Sequence, residues 1–149
     1  DYQNLLQIVE AEAGTEDIKG RIMVANVIMN RVKYSEFPDN VTDVIWEYNN
    51  GVAQFSPVED GRISEVTVSQ ETKDAVRQVL EGTDYSQGAL FFIQKSAAAR
   101  DNISWFDKNL KKLFKHGVHE FYTYPDEGDK SRLADQAGGS NIVQMAKTN

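Results

Sequence analysis

The amino-acid sequence predicts an α+β domain that is mainly helical and carries one small antiparallel sheet. Two stretches with apolar residues at helical spacing and two short aromatic-rich runs lead to this prediction. With 149 residues, 40% of them hydrophobic, the chain is long enough for one domain with its own core. We place this domain at residues 1–125. Residues 126–149 contain no aromatic side chain, which is typical of a C-terminal tail or extension.

The N-terminal residues predict an amphipathic helix that ends at Gly14. One face of this helix carries four residues at positions i, i+3, i+4 and i+7, namely Leu5, Ile8, Val9 and Glu12. Glu10 falls on the opposite, polar face. Thr15 and the acidic residues after it predict the start of a second helix. That helix extends to about Val32, and because it is apolar on most sides we expect it to be central and buried.

The middle of the chain predicts a short helix, an irregular loop and a further amphipathic helix. Asn40 is a suitable N-cap for a short helix over residues 41–48. Residues 51–67 show no helical period and contain turn-forming residues, so we expect a loop there. Ser69 then opens a segment with an apolar stripe, and Gly82 stands where a C-terminal cap is expected.

Two aromatic-rich runs predict the strands of the small sheet. They cover residues 89–93 and 119–124, and we expect them to pair antiparallel. The stretch between them predicts an irregular excursion. A lysine cluster within it is interpreted as a solvated helix face and consists of Lys108, Lys111, Lys112 and Lys115.

Charge and composition exclude several classes of protein. The net charge is −7, which argues against a nucleic-acid partner, because affinity for DNA depends on a basic surface. The absence of cysteine excludes disulfide scaffolds and thiol nucleophiles. No apolar run reaches the roughly 18 residues of a membrane span. The N-terminus shows no secretory signal, and because the first residue is Asp1 a leader could have been removed.

Glu12 is the strongest candidate for chemistry because it is a carboxylate on an otherwise apolar helical face. Burial without a partner disfavours the ionised form and raises the pKa of such a group. A glutamic acid that keeps its proton near neutral pH can act as a general acid toward a glycosidic oxygen. Two alternatives remain open: an ion pair with Arg21, Arg31 or Lys33, or a position at the solvated end of the face.

Several segments together resemble the spore cortex-lytic and cell-wall hydrolase family of the SleB/CwlJ type. They are EAEAGTE (10–16), KGRIMVANVIMNRV (19–32), FPDNVTDVI (37–45), QFSPVEDGRI (54–63), GALFF (88–92) and HEFY (119–122). The resemblance implies a lysozyme-like fold similar to that of lytic transglycosylases, with residues 1–125 as the catalytic domain. It also implies cleavage of the glycan strands of peptidoglycan by a protein that is secreted or located in the cell wall or spore envelope.

The resemblance further implies that the first glutamate of an E-A-x-G-E-like motif is the catalytic acid. Glu12 fits this place, counting back from the second helix, although Glu10 also precedes an alanine and Gly14 stands one position early. A lytic transglycosylase uses one glutamate as acid and then as base, and it forms 1,6-anhydromuramic ends. Two alternatives remain open. One is a hydrolytic muramidase or glucosaminidase with a second carboxylate from Glu16, Glu59 or Asp60, and the other is a non-catalytic glycan-binding module.

Substrate contacts are expected from residues with amide, hydroxyl or aromatic side chains. The candidates are Gln54, Phe55, Ser56, Phe92, His119 and Tyr122. Core packing is an equally good interpretation of Phe55, and an edge-strand surface is an equally good interpretation of Tyr122. The lysine cluster has a second interpretation as a docking site for the carboxylates of stem peptides.

We expect the reaction to need neither a metal nor an organic cofactor. His116 and His119 are the only histidines, and their spacing resembles part of a metal-binding pattern. No cysteine and no third ligand at a recognisable spacing accompany them. For His119 a structural or cleft-lining hydrogen bond is the better hypothesis.

Overall fold

A computed structural model of the chain describes residues 1–125. The predicted tail over residues 126–149 lies outside the described part. The helices are α1 (Tyr2–Ala13), α2 (Ile18–Val32), α3 (Val41–Ile45), α4 (Ser56–Glu59), α5 (Gln70–Leu80) and α6 (Arg100–Asn109). The strands are β1 (Tyr48–Asn49), β2 (Val52–Ala53), β3 (Phe91–Ile93), β4 (Lys111–His116) and β5 (His119–Thr123). Within residues 1–125, no helix has both the length and the hydropathy that crossing a membrane requires.

Helix α2 is the centre of the fold, as its apolar sequence predicts. It packs against α1, α3 and α5, and most of its side chains are buried. Asn26 and Asn30 are also turned inward, where their amides donate to the carbonyls of Thr83 and Ala89. The helix begins differently from the prediction, because its N-cap is Asp17, which accepts from the Gly20 amide at 2.7 Å, and not Thr15.

The predicted N-caps of α3 and α5 and the predicted end of α5 are confirmed. The Asn40 side chain accepts from the Asp43 amide at 2.9 Å and so begins α3, which is shorter than predicted. The Ser69 side chain accepts from the Thr72 amide at 3.2 Å and begins α5. Gly82 directly follows the C-cap of α5 with φ of +108°, a conformation that favours glycine.

The segment predicted as an irregular loop contains short regular elements. Strands β1 and β2 form an antiparallel hairpin, and α4 and a single 3₁₀ turn over Arg62–Ser64 follow. Each element spans only two to four residues. Such short elements show no sequence periodicity, which is why the sequence predicts a loop.

The sheet has three strands, and the prediction of a simple pair was incomplete. Strands β3 and β5 pair antiparallel as predicted, and β4 adds to the other side of β5. The excursion between the predicted strands is regular, because it contains both α6 and β4. The lysine cluster is therefore not one helix face: Lys108 lies near the end of α6, whereas the other three lysines lie on β4, and all four are exposed.

The sheet separates two hydrophobic clusters. Phe92 and Phe121 face the main cluster, which the buried faces of α1, α2 and α5 share. Phe91 and Tyr122 face a smaller cluster with Phe106 of α6. Because successive residues of a strand point to opposite faces, and both faces are covered, neither phenylalanine of β3 lies at the surface. The molecule thus has the α+β, mainly helical architecture expected from its sequence.

Candidate active site

Glu12 lies on the last turn of α1, on the face that enters the main cluster. Its helical neighbours Ile8 and Val9 are fully buried, whereas Glu12 itself is partly exposed. The carbonyls of Ala13 and Gly14 accept from the Arg21 guanidinium at 3.2 and 2.6 Å. These bonds fix the end of α1 to α2. Glu12 is therefore held at the edge of the core by a rigid helix end, with access to solvent for proton exchange.

Glu10, the alternative catalytic candidate, is engaged in structural hydrogen bonds. Its Oε1 accepts from the Ser69 amide at 3.0 Å, from the Ser69 hydroxyl at 2.9 Å and from the Thr72 hydroxyl at 2.7 Å. Partial burial opposes ionisation, but these hydrogen bonds outweigh it and lower the pKa of Glu10. A carboxylate in this state accepts bonds at the start of α5 and is a poor proton donor.

His119 and Glu16 lie next to the end of α1, at the β4–β5 turn. The Glu16 Oε1 accepts from the Val118 amide at 2.9 Å and lies 4.0 Å from Nδ1 of His119. Burial lowers the pKa of His119, against the opposing effects of the Glu16 charge and of a hydrogen bond to the Glu12 backbone. His119 therefore connects the turn to the helix end that carries Glu12.

The hairpin β1–β2 leads into the predicted substrate-binding segment. Gln54 and Phe55 are fully buried, and Phe55 packs against Phe92 with ring centroids 6.1 Å apart. Ser56 is partly exposed and lines a surface cavity of about 470 Å³. The other lining residues of this cavity are Glu59, Asp60, Arg62, Gln94 and Ala97.

The predicted site residues separate into two groups. Phe92 and His119 contact each other on the Glu12 side of the sheet, with centroids 5.1 Å apart. Tyr122 points to the opposite side, where its hydroxyl donates to Asp107 at 2.7 Å. Burial and the Asp107 charge raise the pKa of Tyr122 to about 12. Tyr122 lies on the central strand, so the edge-strand interpretation was wrong.

Burial favours packing roles for the predicted aromatic contacts. Phe55, Phe92 and Tyr122 are each at most 1% exposed. Their roles in substrate binding stay predictions, as does the role of His119.

Sequence reasoning missed Glu47, and it named Arg31 only as one of three possible ion-pair partners of Glu12. Arg31 is fully buried, and its charge interacts with Glu47, Tyr124 and Glu12. Glu47 precedes the hairpin, and its backbone carbonyl accepts from the Gln54 amide at 3.1 Å. Burial raises the pKa of Glu47, against the opposing effects of Arg31 and Asn49. An arginine in a run of apolar residues and an acid between two aromatics are the signals that the sequence offers.

The two histidines contact different acids, and only His116 forms a hydrogen bond with its acid. His116 Nε2 lies 2.8 Å from Asp17 Oδ1, and His119 lies beside Glu16. Across residues 1–125 there is no group of three or more His, Cys, Asp or Glu side chains that could hold a metal ion.

Comparison with known proteins places these features in context. Residues 15–122 match the family model described as Cell Wall Hydrolase. The chain is 36% identical over 116 residues to a spore cortex-lytic enzyme of Halalkalibacterium halodurans and 34% identical to one of Bacillus cereus. The aligned region covers 78% of this chain but only 33% and 42% of those two proteins. The chain thus spans well under half the length of these curated relatives.

A solved structure shares the fold. The catalytic domain of the germination-specific lytic transglycosylase SleB from Bacillus anthracis superimposes with a TM-score of 0.68 at 30% sequence identity. The superposition covers 81% of this chain and 92% of that domain. The resemblance seen in the sequence motifs and the α+β fold class are both confirmed by these matches.

Proposed function

This chain belongs to the cell wall hydrolase family, and from that premise we propose that it cleaves the glycan strands of peptidoglycan as a lytic transglycosylase. Glu12 is the proposed catalytic residue. The observation that carries this assignment is a contrast between two glutamates of α1. Glu10 accepts three hydrogen bonds from the start of α5, whereas Glu12 lies partly exposed at the edge of the core. The similarity to a lytic transglycosylase catalytic domain supports the reaction type.

The proposed reaction needs one carboxyl group that acts twice. Protonated Glu12 first gives its proton to the bridging oxygen, and the bond between that oxygen and the muramic C1 breaks. The Glu12 carboxylate then takes the proton of the muramic 6-hydroxyl as O6 forms a bond to C1. Glu12 is protonated again, no water is consumed, and the product carries a 1,6-anhydro end.

Glycan strands fit the chemistry of the exposed surface near the hairpin. The cavity beside Ser56 presents hydroxyl, amide, carboxylate and guanidinium groups, which can form hydrogen bonds with a polar polymer. A secreted protein, or one located in the cell wall or spore envelope, would meet this substrate. The similarity to spore cortex-lytic enzymes supports that location.

The alternative is hydrolysis, for which a second carboxylate must activate water. Among the predicted candidates, the Glu16 side chain is engaged by the Val118 amide. Burial opposes ionisation of Asp60, but its bonds with Arg62 outweigh this and lower its pKa, so Asp60 is a carboxylate at neutral pH. Glu59 and Asp60 both line the Ser56 cavity, and this observation keeps hydrolysis as the second candidate.

Product analysis of digested sacculi tests the proposal. Purified sacculi are incubated with the protein, and the soluble fragments are identified by mass spectrometry. Anhydromuramic ends are expected. Ordinary reducing ends, which carry one additional water, would instead establish the hydrolytic alternative.

The Glu12→Gln variant tests whether cleavage depends on this carboxyl. We expect no glycan release from Glu12→Gln, and a melting temperature close to that of the parent, because the near-isosteric amide keeps the shape of a partly exposed side chain. Release at the parental rate would remove Glu12 from the mechanism. Binding without release by either protein would favour the glycan-binding module.

A further inference from the structure

The turn between β4 and β5 packs against the connection between α1 and α2. It consists of Gly117 and Val118, which lie between the paired residues His116 and His119. The Val118 amide donates to Glu16 Oε1 at 2.9 Å. Glu16 belongs to the connection between the two helices, and its side chain is only 7% exposed. One side chain thus joins two segments that are 102 residues apart in the sequence.

Gly117 has a backbone conformation and a neighbour that both require glycine. Its φ of +57° lies in the left-handed region, which residues with a Cβ rarely adopt. A Cβ at this position would also overlap with Glu16 Oε1. The glycine leaves room for the carboxyl group, and the next residue of the turn supplies the donor. The turn is therefore shaped to receive the Glu16 side chain.

A second contact joins the same two segments at their exposed side. Asp17 Oδ1 lies 2.8 Å from His116 Nε2 and also accepts from the Gly20 amide, as the N-cap of α2. The Asp17 side chain is 65% exposed, so solvent screens its interaction with the histidine. Glu16 is therefore the more buried of the two acids that hold the turn.

The turn is connected to Glu12 through His119. This histidine directly follows Val118, is 2% exposed and forms a hydrogen bond with the Glu12 backbone. Its Nδ1 lies 4.0 Å from Glu16 Oε1, which is too long for a hydrogen bond. Glu16 therefore acts on His119 by holding the turn, and His119 in turn contacts the helix end that carries Glu12.

Accepting the function proposed above, we propose that Glu16 is a positioning residue of the reaction, which fixes the helix end carrying Glu12 by holding the Gly117–Val118 turn. Glu16 does this by accepting a hydrogen bond, without exchanging a proton with the substrate. A group that first donates and then accepts a proton must keep its place through both steps. This role differs from that of a second carboxylate that activates water.

Two substitutions at Glu16 separate positioning from proton transfer. Glu16→Ala removes the acceptor, and we expect kcat for soluble glycan strands to fall roughly tenfold with little change in KM. A displacement of 1 Å can lower a rate by about 100-fold, and a helix end still held by Arg21 should move less. Glu16→Gln keeps a carbonyl oxygen for the Val118 amide and should recover most of the lost activity. Equal losses in both variants would overturn the proposal, because Glu16 would then act through its proton or charge.

Gly117→Ala disturbs the same contact from the side of the turn, and Gly82→Ala is its matched control. Gly82 also has a positive φ, of +108°, but a Cβ there would meet no atom within 4 Å. Per folded molecule, measured by circular dichroism, Gly117→Ala should lower kcat as Glu16→Ala does, and Gly82→Ala should not. A parental kcat in either folded variant that disturbs the Glu16 contact would contradict the positioning role.

Hydrogen exchange of the Val118 amide tests the contact in the parent protein itself, whether or not the variants fold. The bond to Glu16 should slow this exchange relative to that of an unstructured peptide. Exchange at the unstructured rate overturns the proposal. In Glu16→Ala the protection should be lost.

The NMR resonance of the Glu12 amide separates this inference from the proposed function. The resonance should move in Glu16→Ala and in Gly117→Ala and stay in place in Gly82→Ala. If the parent releases no fragments from sacculi but the resonance moves as expected, the proposed function is wrong and the coupling of Glu16 to the helix end stands. If fragments are released but neither the resonance nor kcat responds to Glu16, the function stands and this inference does not.

Discussion

The two sides of α1 carry one glutamate each, and these glutamates have different surroundings. Glu10 faces the start of α5, where three donors from Ser69 and Thr72 converge on one carboxylate oxygen. Glu12 lies at the end of α1, at the edge of the main cluster and next to His119 of β5. The two residues are of the same type and only two positions apart.

The hydrogen-bond donors around a carboxyl group decide its role. Three hydrogen bonds hold Glu10 in its ionised form and make it part of the structure. Glu12 is partly exposed at the end of α1. Substitutions at both glutamates and at neighbouring residues test this contrast.

The largest effect is expected from Glu12→Asp. The change keeps the acid but withdraws it by one methylene, and a misplacement of about 1 Å can lower a rate by about 100-fold. We expect glycan release to fall by about that factor while the melting temperature stays within a degree or two of the parent. The matched change Glu10→Asp should leave release per folded molecule unchanged. Equal losses of release in both variants would contradict the assignment of distinct roles.

The next effect is on stability, from Glu10→Gln. Hydrogen bonds to a charged acceptor are replaced by weaker ones, so the free energy of unfolding at pH 7 should fall by about 1 to 2 kcal/mol. The pKa of Glu10 is lowered in the folded protein, so its contribution is present above the unfolded pKa and is lost as the pH falls through the folded pKa.

Urea unfolding at pH 7 and at pH 3 measures this difference. Parent and Glu10→Gln should differ in unfolding free energy at pH 7 and approach each other at pH 3. The same difference in unfolding free energy at both pH values would show that the charge of Glu10 does not contribute to stability.

A smaller effect is expected from His119→Gln. Burial lowers the pKa of His119 in the folded protein. In the unfolded chain this histidine has the ordinary pKa of about 6.5, so the unfolded chain binds the proton first as the pH falls. The parent should lose roughly 1 kcal/mol of unfolding free energy between pH 7 and pH 5.5, and His119→Gln should lose less. Equal losses, measured by urea unfolding, would show that another group causes the pH dependence.

The smallest effect is expected from Arg62→Ala, which removes the partner of Asp60 at the Ser56 cavity. Both side chains are about half exposed, at 44% and 50%, so solvent screens the pair. The unfolding free energy should change by about 0.5 kcal/mol or less. A loss of unfolding free energy as large as that expected for Glu10→Gln would contradict the distinction between exposed carboxylates and carboxylates held by several hydrogen bonds.

Much of the helical part of the fold could be predicted because its signals are local. Ser69 caps α5 and Gly82 follows its end, and both are recognisable from residue type and spacing. The apolar face of α1 likewise follows from its 3.6-residue period. These features need no knowledge of the rest of the chain.

Strand β4 could not be predicted because it is an edge strand. The order β3–β5–β4 leaves one side of β4 unpaired, and its lysines Lys111, Lys112 and Lys115 are exposed. Lysines at an edge discourage association with other strands, and they also remove the apolar pattern that identifies a strand. Lys112 instead pairs with Glu120 on β5.

The sequence by itself determined the caps of α3 and α5, the pairing of two aromatic strands, the family resemblance and the short list of candidate acids. Only the tertiary structure decided that Glu10 is held at the start of α5, because its donors come from 59 and 62 residues away. The same holds for Arg31, whose Nε bonds a carbonyl 59 residues along the chain. Local patterns report propensity and periodicity, whereas the protonation of a carboxyl group depends on charges and donors that only folding brings together.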